Sequence, residues 1–83
     1  MDKILIGLYV PSIEEHFDLF VPQDVPAGEL AGLLAAGLEQ STNGRYRKSG
    51  AELLCVVKPD RLISPQMTLQ SIGAENGDRF VLF

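Results

Sequence analysis

One cysteine, one histidine and no tryptophan stand among these 83 residues. A lone cysteine, Cys55, cannot close an intrachain disulfide, which fits a reducing setting. One Cys and one His cannot supply a zinc site from this chain alone. A nucleophile with its base needs Ser or Cys held beside His. His16 lies next to Glu14 and Glu15, but neighbours on a strand point to opposite faces, so Glu15 and His16 cannot converge. Cys55 falls in phase with Leu53 and Val57, which reads as a small core residue rather than a thiolate. The glycines of "AGELAGLLAAG" lie inside a predicted helix, not in a phosphate loop after a strand. The expectation is therefore no enzyme: no catalytic residue, no cofactor and no metal ligand.

Positive charge is also scarce, with seven Lys/Arg against eleven Asp/Glu and a net charge of −4. Phosphate backbones need clustered cations, so nucleic acid is not expected as a partner. "RYRK" gathers Arg45, Arg47 and Lys48, three of the seven cations, and reads as a solvated loop. Long hydrophobic runs are missing too. Between Lys3 and Pro11 there are seven residues, Gly7 among them, too short to span a bilayer and without a cleavage site. A soluble, cytoplasmic protein without direct membrane insertion is expected.

What is present is a globular composition, 46% hydrophobic and 22% charged. The length fits a single domain over 1–83. Such a chain hides only about 60–65% of the surface its unfolded form exposes, so its stability is modest. Residues 3–9, "KILIGLY", alternate with Ile4, Ile6 and Leu8 on one side. Residues 16–21, "HFDLFV", alternate again after the "VPSIEE" turn, which makes a hairpin. "QDVPAGE" starts a helix, with Asp24 or Val25 at the cap, Pro26 at the first helical position and Glu29 at the positive end. Leu30, Leu33, Leu34 and Leu38 are predicted along one face, and Gly28, Gly32 and Gly37 would allow close approach to a sheet. After the loop "STNGRYRKSGA" come strands at 52–57 ("ELLCVV") and "LIS", with Pro59 in the turn between them. A helical turn around Thr68, Leu69 and Ile72, the turn "ENGD" and a last strand "RFVLF" complete the order.

The order β-β-α-β-β-β defines an α+β class and the pattern of the β-grasp, or ubiquitin-like, fold: a mixed sheet with one helix packed on one face. The first and last strands would then run parallel at the centre of the sheet. Ubiquitin and the sulfur carriers share this order and end in a flexible Gly-Gly tail. Here no Gly follows Gly77, and Phe83 lies within the last strand. A non-conjugating module is expected.

Two stretches, "FDLFVPQDVPAGELAGLLAAGLE" and "LISPQMTLQSIGAENGDRFVLF", resemble the YukD/EsaB group of small bacterial ubiquitin-like proteins. The likeness rests on Asp18-Leu19 with Val21-Pro22, then on Thr68-Leu69, Ile72 and Gly77-Asp78 before an apolar end. The missing Gly-Gly agrees as well. This resemblance implies an accessory or regulatory role in a type VII secretion system, docked on cytoplasmic parts of the membrane machine. In actinobacteria a similar domain begins a multi-spanning subunit, whereas this chain is expected to bind by contact. A small subunit of a multicomponent di-iron oxygenase is the alternative from another class, and a generic adaptor is a third.

With Ile4, Ile6, Leu53, Cys55, Phe80 and Leu82 assigned to the helix-covered side, the opposite sheet face carries Leu5, Leu54, Val56, Val81 and Phe83. Those five are the expected protein-binding patch, since contiguous exposed apolar surface marks interaction sites. Weak homo-oligomerisation through the same face is one form of that binding. Lys3, Glu52 and Arg79 would frame it and tune partner choice.

Overall fold

The computed structural model describes residues 3–57 and 60–83. Strict alternation builds the first hairpin: in β1 (Lys3–Val10), Ile4, Ile6, Leu8 and Val10 are buried while the residues between them face outward. β2 (Glu15–Pro22) pairs antiparallel with it and sets Val21, Leu19 and Phe17 beside Ile4, Ile6 and Leu8. The Pro11–Glu14 turn closes with the Ile13 N–H donating to the Val10 carbonyl at 3.2 Å.

The helix, α1 (Ala27–Ser41), begins one residue later than its sequence signals suggest. Pro26 itself is the N-cap, and no side chain caps the helix. The free amides of the first turn are satisfied from far along the chain instead. The Ala27 N–H donates to the Met67 carbonyl at 2.7 Å and the Gly28 N–H to the Pro65 carbonyl at 3.0 Å. Gly28 permits that approach, because a Cβ there would sit 3.0 Å from the Pro65 Cβ. The close contact is thus to a loop and not to the sheet, and Gly32 and Gly37 face open space.

These glycines give an internally controlled prediction. Gly32→Ala and Gly37→Ala each should stabilise the domain by about 0.5–1 kcal/mol, the helix-propensity gain. Gly28→Ala should gain nothing, since its methyl meets Pro65. Thermal melts of the three variants check this.

The buried stripe of α1 is Ala27, Leu30, Ala31, Leu34, Ala35 and Leu38. The alanines bring the helix close to the sheet and turn the stripe toward them. Leu33 consequently lies on the helix flank, 57% exposed, rather than on the covered face.

β3 (Leu54–Val57), β4 (Asp60–Leu62) and β5 (Arg79–Leu82) complete a five-stranded sheet of order β2-β1-β5-β3-β4. β1 and β5 run parallel at its centre, with Leu8 beside Phe80. The expected turn at Pro59 lies outside the described residues. Between β4 and β5, a helical turn is closed by reciprocal bonds, the Ser71 N–H to Thr68 Oγ1 and the Thr68 N–H to Ser71 Oγ, both 3.0 Å. It inserts Leu69 fully into the core. The "ENGD" turn then docks on β1, where Asn76 Oδ1 accepts from the Leu5 N–H at 2.8 Å. Gly77, at φ +92°, donates its N–H to the Leu5 carbonyl at 2.8 Å.

β3 corrects one expectation. Leu54 and Val56 are core residues, only 2% and 7% exposed, and Leu53, Cys55 and Val57 take the outer face. Pairing with β5 fixes this phase, because Leu54 aligns with Leu82 and Val56 with the fully buried Phe80. A one-residue slip in a strand exchanges every side chain between faces. No polar or charged side chain is buried among the described residues.

Candidate functional site

The helix and its loops cover one face of the sheet, and among the described residues no helix or strand covers the other. Register assigns its residues. Across the middle, Gly7 stands between Asp18 of β2 and Arg79 of β5. A Cβ on Gly7 would lie 3.6 Å from Arg79 Cγ and 3.9 Å from Asp18 Oδ1, so the missing side chain leaves a notch between an acid and a base. The notch belongs to a shallow depression of about 440 Å³ that reaches Tyr9, His16, Val57 and Val81.

The next row is Tyr9, Val81, Cys55 and Leu62 on β1, β5, β3 and β4. His16 stacks on Tyr9, ring centres 4.5 Å apart, and so packs on the surface away from Glu15. Beyond lie Phe83 and Leu53, tied by the Phe83 N–H to the Leu53 carbonyl at 2.9 Å and the reverse bond at 3.3 Å. Leu53, Val57, Leu62 and Phe83 are all exposed. Of the five patch residues expected from sequence, Leu5, Val81 and Phe83 belong to this face; Leu54 and Val56 do not. Their places are taken by Leu53, Cys55 and Val57, so Cys55 is a surface rather than a core residue. Tyr9, Leu62 and the Gly7 notch were missed, although Tyr9 shares the alternation of Leu5.

The cationic stretch has a different anatomy from a freely solvated loop. Tyr46 is buried, while Arg45 forms an ion pair with Glu15 at the hairpin. Glu52 organises the rest, accepting from the Ser49 and Gly50 N–H groups at 2.6 and 3.2 Å and from the Tyr46 hydroxyl at 3.3 Å. Burial would raise the Glu52 carboxyl, but bonds from the Ser49 and its own backbone N–H and from the Tyr46 and Ser49 hydroxyls hold it below the ordinary value. Burial first, then the Glu52 charge and hydrogen bond, push the Tyr46 phenol from 10.0 up to about 12.

A raised phenol means that folding favours the protonated form. Its contribution is therefore complete below pH 10 and lost as pH rises toward about 12. Denaturant unfolding on either side of pH 10 should show this alkaline loss, and Tyr46→Phe should flatten it.

Among the described residues no group of three His, Cys, Asp or Glu side chains could hold a metal. No helix among them is long and apolar enough to cross a membrane. The open face offers shape, apolar area and, at its middle, the opposite charges of Asp18 and Arg79. That suits the binding of another surface.

Comparison with known proteins places the architecture. No family model matches the sequence, and no curated protein does. Solved structures do match. Ubiquitin from Caldiarchaeum subterraneum superposes with a TM-score of 0.73 at 19% identity, over 98% of this chain and 91% of that one. The ubiquitin-like domain of the Mycobacterium tuberculosis type VII secretion protein EccD1 gives 0.63 at 14%, over 99% and 98%. A chain of the MycP5-free ESX-5 inner membrane complex gives 0.70 at 13%, with all of this chain matched to 21% of that one. The chain is a ubiquitin-like β-grasp module, and its structural neighbours include ubiquitin-like domains of type VII secretion.

Proposed function

We propose that this chain is a protein-interaction module serving a bacterial type VII secretion system as an accessory or regulatory component, as in the YukD/EsaB group. It works in the cytoplasm by contact, laying its open sheet face on the cytoplasmic part of the membrane machine. The observation that carries this reading is the uncovered apolar face of Tyr9, Leu53, Cys55, Leu62, Val81 and Phe83 on a ubiquitin-like fold. Exposed apolar surface of this kind marks interaction sites in soluble domains. Asp18 and Arg79, on opposite sides of the Gly7 notch, would fix orientation more than affinity. The likeness to secretion-system domains supports the choice of machine.

The test is co-purification from the source cell on an N-terminally tagged chain. Leu53→Asp with Val81→Asp, checked to be folded, is the matched control. Secretion subunits recovered with the unmodified chain and lost with the double variant are the expected result. Hydroxylase and reductase subunits recovered in their place would sink the reading in favour of an oxygenase component.

A further inference from the structure

Asp18, Gly7 and Arg79 form one row across β2, β1 and β5 at the middle of the open face. Neighbouring strands lie about 4.8 Å apart, so the Asp18 and Arg79 backbones stand about 10 Å from each other. Their side chains border the space over the glycine, Asp18 Oδ1 at 3.9 Å and Arg79 Cγ at 3.6 Å from the place of a Gly7 Cβ. The two do not bond to each other. Among the described residues neither side chain has a hydrogen bond or an ion pair, and both are exposed.

The rows on either side close the notch lengthwise. Leu5 and Phe20 form one, and Tyr9 with its stacked His16 forms the other. Phe20 is 69% exposed, while Leu5 and Tyr9 are half-buried. Side chains on one face of a strand recur every second residue, about 6.8 Å apart. One inserted side chain therefore fits between these rows, and two do not.

That single side chain must answer an acid and a base together. Once a docked surface excludes water, a charge left without a partner carries its full desolvation cost. A lysine or arginine would bond Asp18 and meet Arg79 with like charge; an aspartate or glutamate would do the reverse. A leucine would leave both unanswered. A hydroxyl has its donor and acceptor on one atom, which cannot reach both sides of so wide a row. A neutral imidazole separates the two but takes up a charge near about pH 6.5. A carboxamide holds N–H donors and a carbonyl acceptor on separate atoms of one flat, uncharged group.

We infer that the Gly7 notch recognises the side-chain carboxamide of an Asn or Gln set between apolar residues on the docking partner. The amide N–H donates to the Asp18 carboxylate, and its carbonyl accepts from the Arg79 guanidinium. The apolar neighbours lie on Leu5 and Phe20 to one side and on Tyr9 to the other. This rests on the open face being the docking surface, and it adds which partner residue that face selects.

The probe is the N-acetylated peptide Leu-Ser-Gln-Ser-Leu, whose first, third and fifth side chains share one face when extended. It is titrated into the whole chain and followed by amide chemical shifts, beside copies with Glu, Lys or Leu at the centre. Saturable shifts at Gly7, Asp18 and Arg79 are expected with Gln, and at least tenfold weaker binding with the other three. Gly7→Ala sets a methyl in the notch at ordinary contact distance, so the chain stays folded and the preference for Gln is lost. Exchanging the charges is the sharper check, because a carboxamide turned over presents its donor and acceptor the other way round. Asp18→Arg should prefer the Glu peptide, Arg79→Asp the Lys peptide, and the two together should prefer Gln again. Equal binding of all four peptides at the open face would overturn the inference and leave the docking reading standing. A preference of the unmodified chain for Glu, Lys or Leu, shifts confined to the helix, or no binding up to millimolar peptide would also overturn it. Concentration-dependent shifts at Gly7 without peptide would overturn it in favour of a second copy of the chain.

Discussion

Leu54→Asp is expected to unfold the domain, while Leu53→Asp leaves it folded. Leu54 is 2% exposed and faces Leu82 across the ladder, itself 1% exposed. Removing such a side chain alone costs about 2–5 kcal/mol. A carboxylate in its place has no partner, because no polar side chain lies buried nearby, and that adds a penalty of several kcal/mol. A chain of this length has a total stability of about 4–12 kcal/mol. The substitution therefore consumes all or most of it. Leu53 points the other way, 47% exposed, and its carboxylate would be hydrated. Circular dichroism and urea unfolding of the two neighbours should separate them completely. Equal behaviour would mean that the phase of β3 is wrong.

Phe80→Ala is the second large effect. Phe80 is fully buried and joins the two halves of the sheet, since it aligns with Leu8 on β1 and Val56 on β3. Truncating a buried phenylalanine costs about 3–5 kcal/mol through lost burial and the cavity left behind. With a urea m-value of about 1–3 kcal/mol/M, the unfolding midpoint should fall by more than about 1 M. Val81→Ala, one residue on and half-buried on the open face, should cost less than about 1 kcal/mol, in the range of surface changes. A midpoint for Phe80→Ala near that of Val81→Ala would contradict the placement of the core.

The contrast between these positions also shows what the sequence could reveal. β1 and β2 were legible because Lys3 and Gly7 on β1, and His16 and Asp18 on β2, mark the outer phase of each strand. "LLCVV" has no such marker, and periodicity alone cannot say which of its residues point inward. Only the long-range alignment of Val56 with Phe80 decides it. The same limit applies at the helix start, where Asp24 and Val25 offered local capping but carbonyls of Pro65 and Met67 do the work. Tyr46, between two arginines, looked like part of a solvated loop. Its burial depends on Glu52, six residues on, drawing the loop together. The open face was half legible for the same reasons: Leu5, Val81 and Phe83 followed from alternation, Tyr9 shared that alternation but was passed over, and the β3 members could not be read from it.

Tyr9 is the position from which to test the account's central claim, that the open face is the docking surface. It is half-buried beside Val81 and His16, and an aromatic photo-crosslinker can replace it with little change of shape. Gly32, in open space on the helix, is the control position. Irradiated in the source cell, the Tyr9 probe should attach to a subunit of the secretion machine and the Gly32 probe should not. Attachment from Gly32 with none from Tyr9 would contradict the account and place the working surface on the helix.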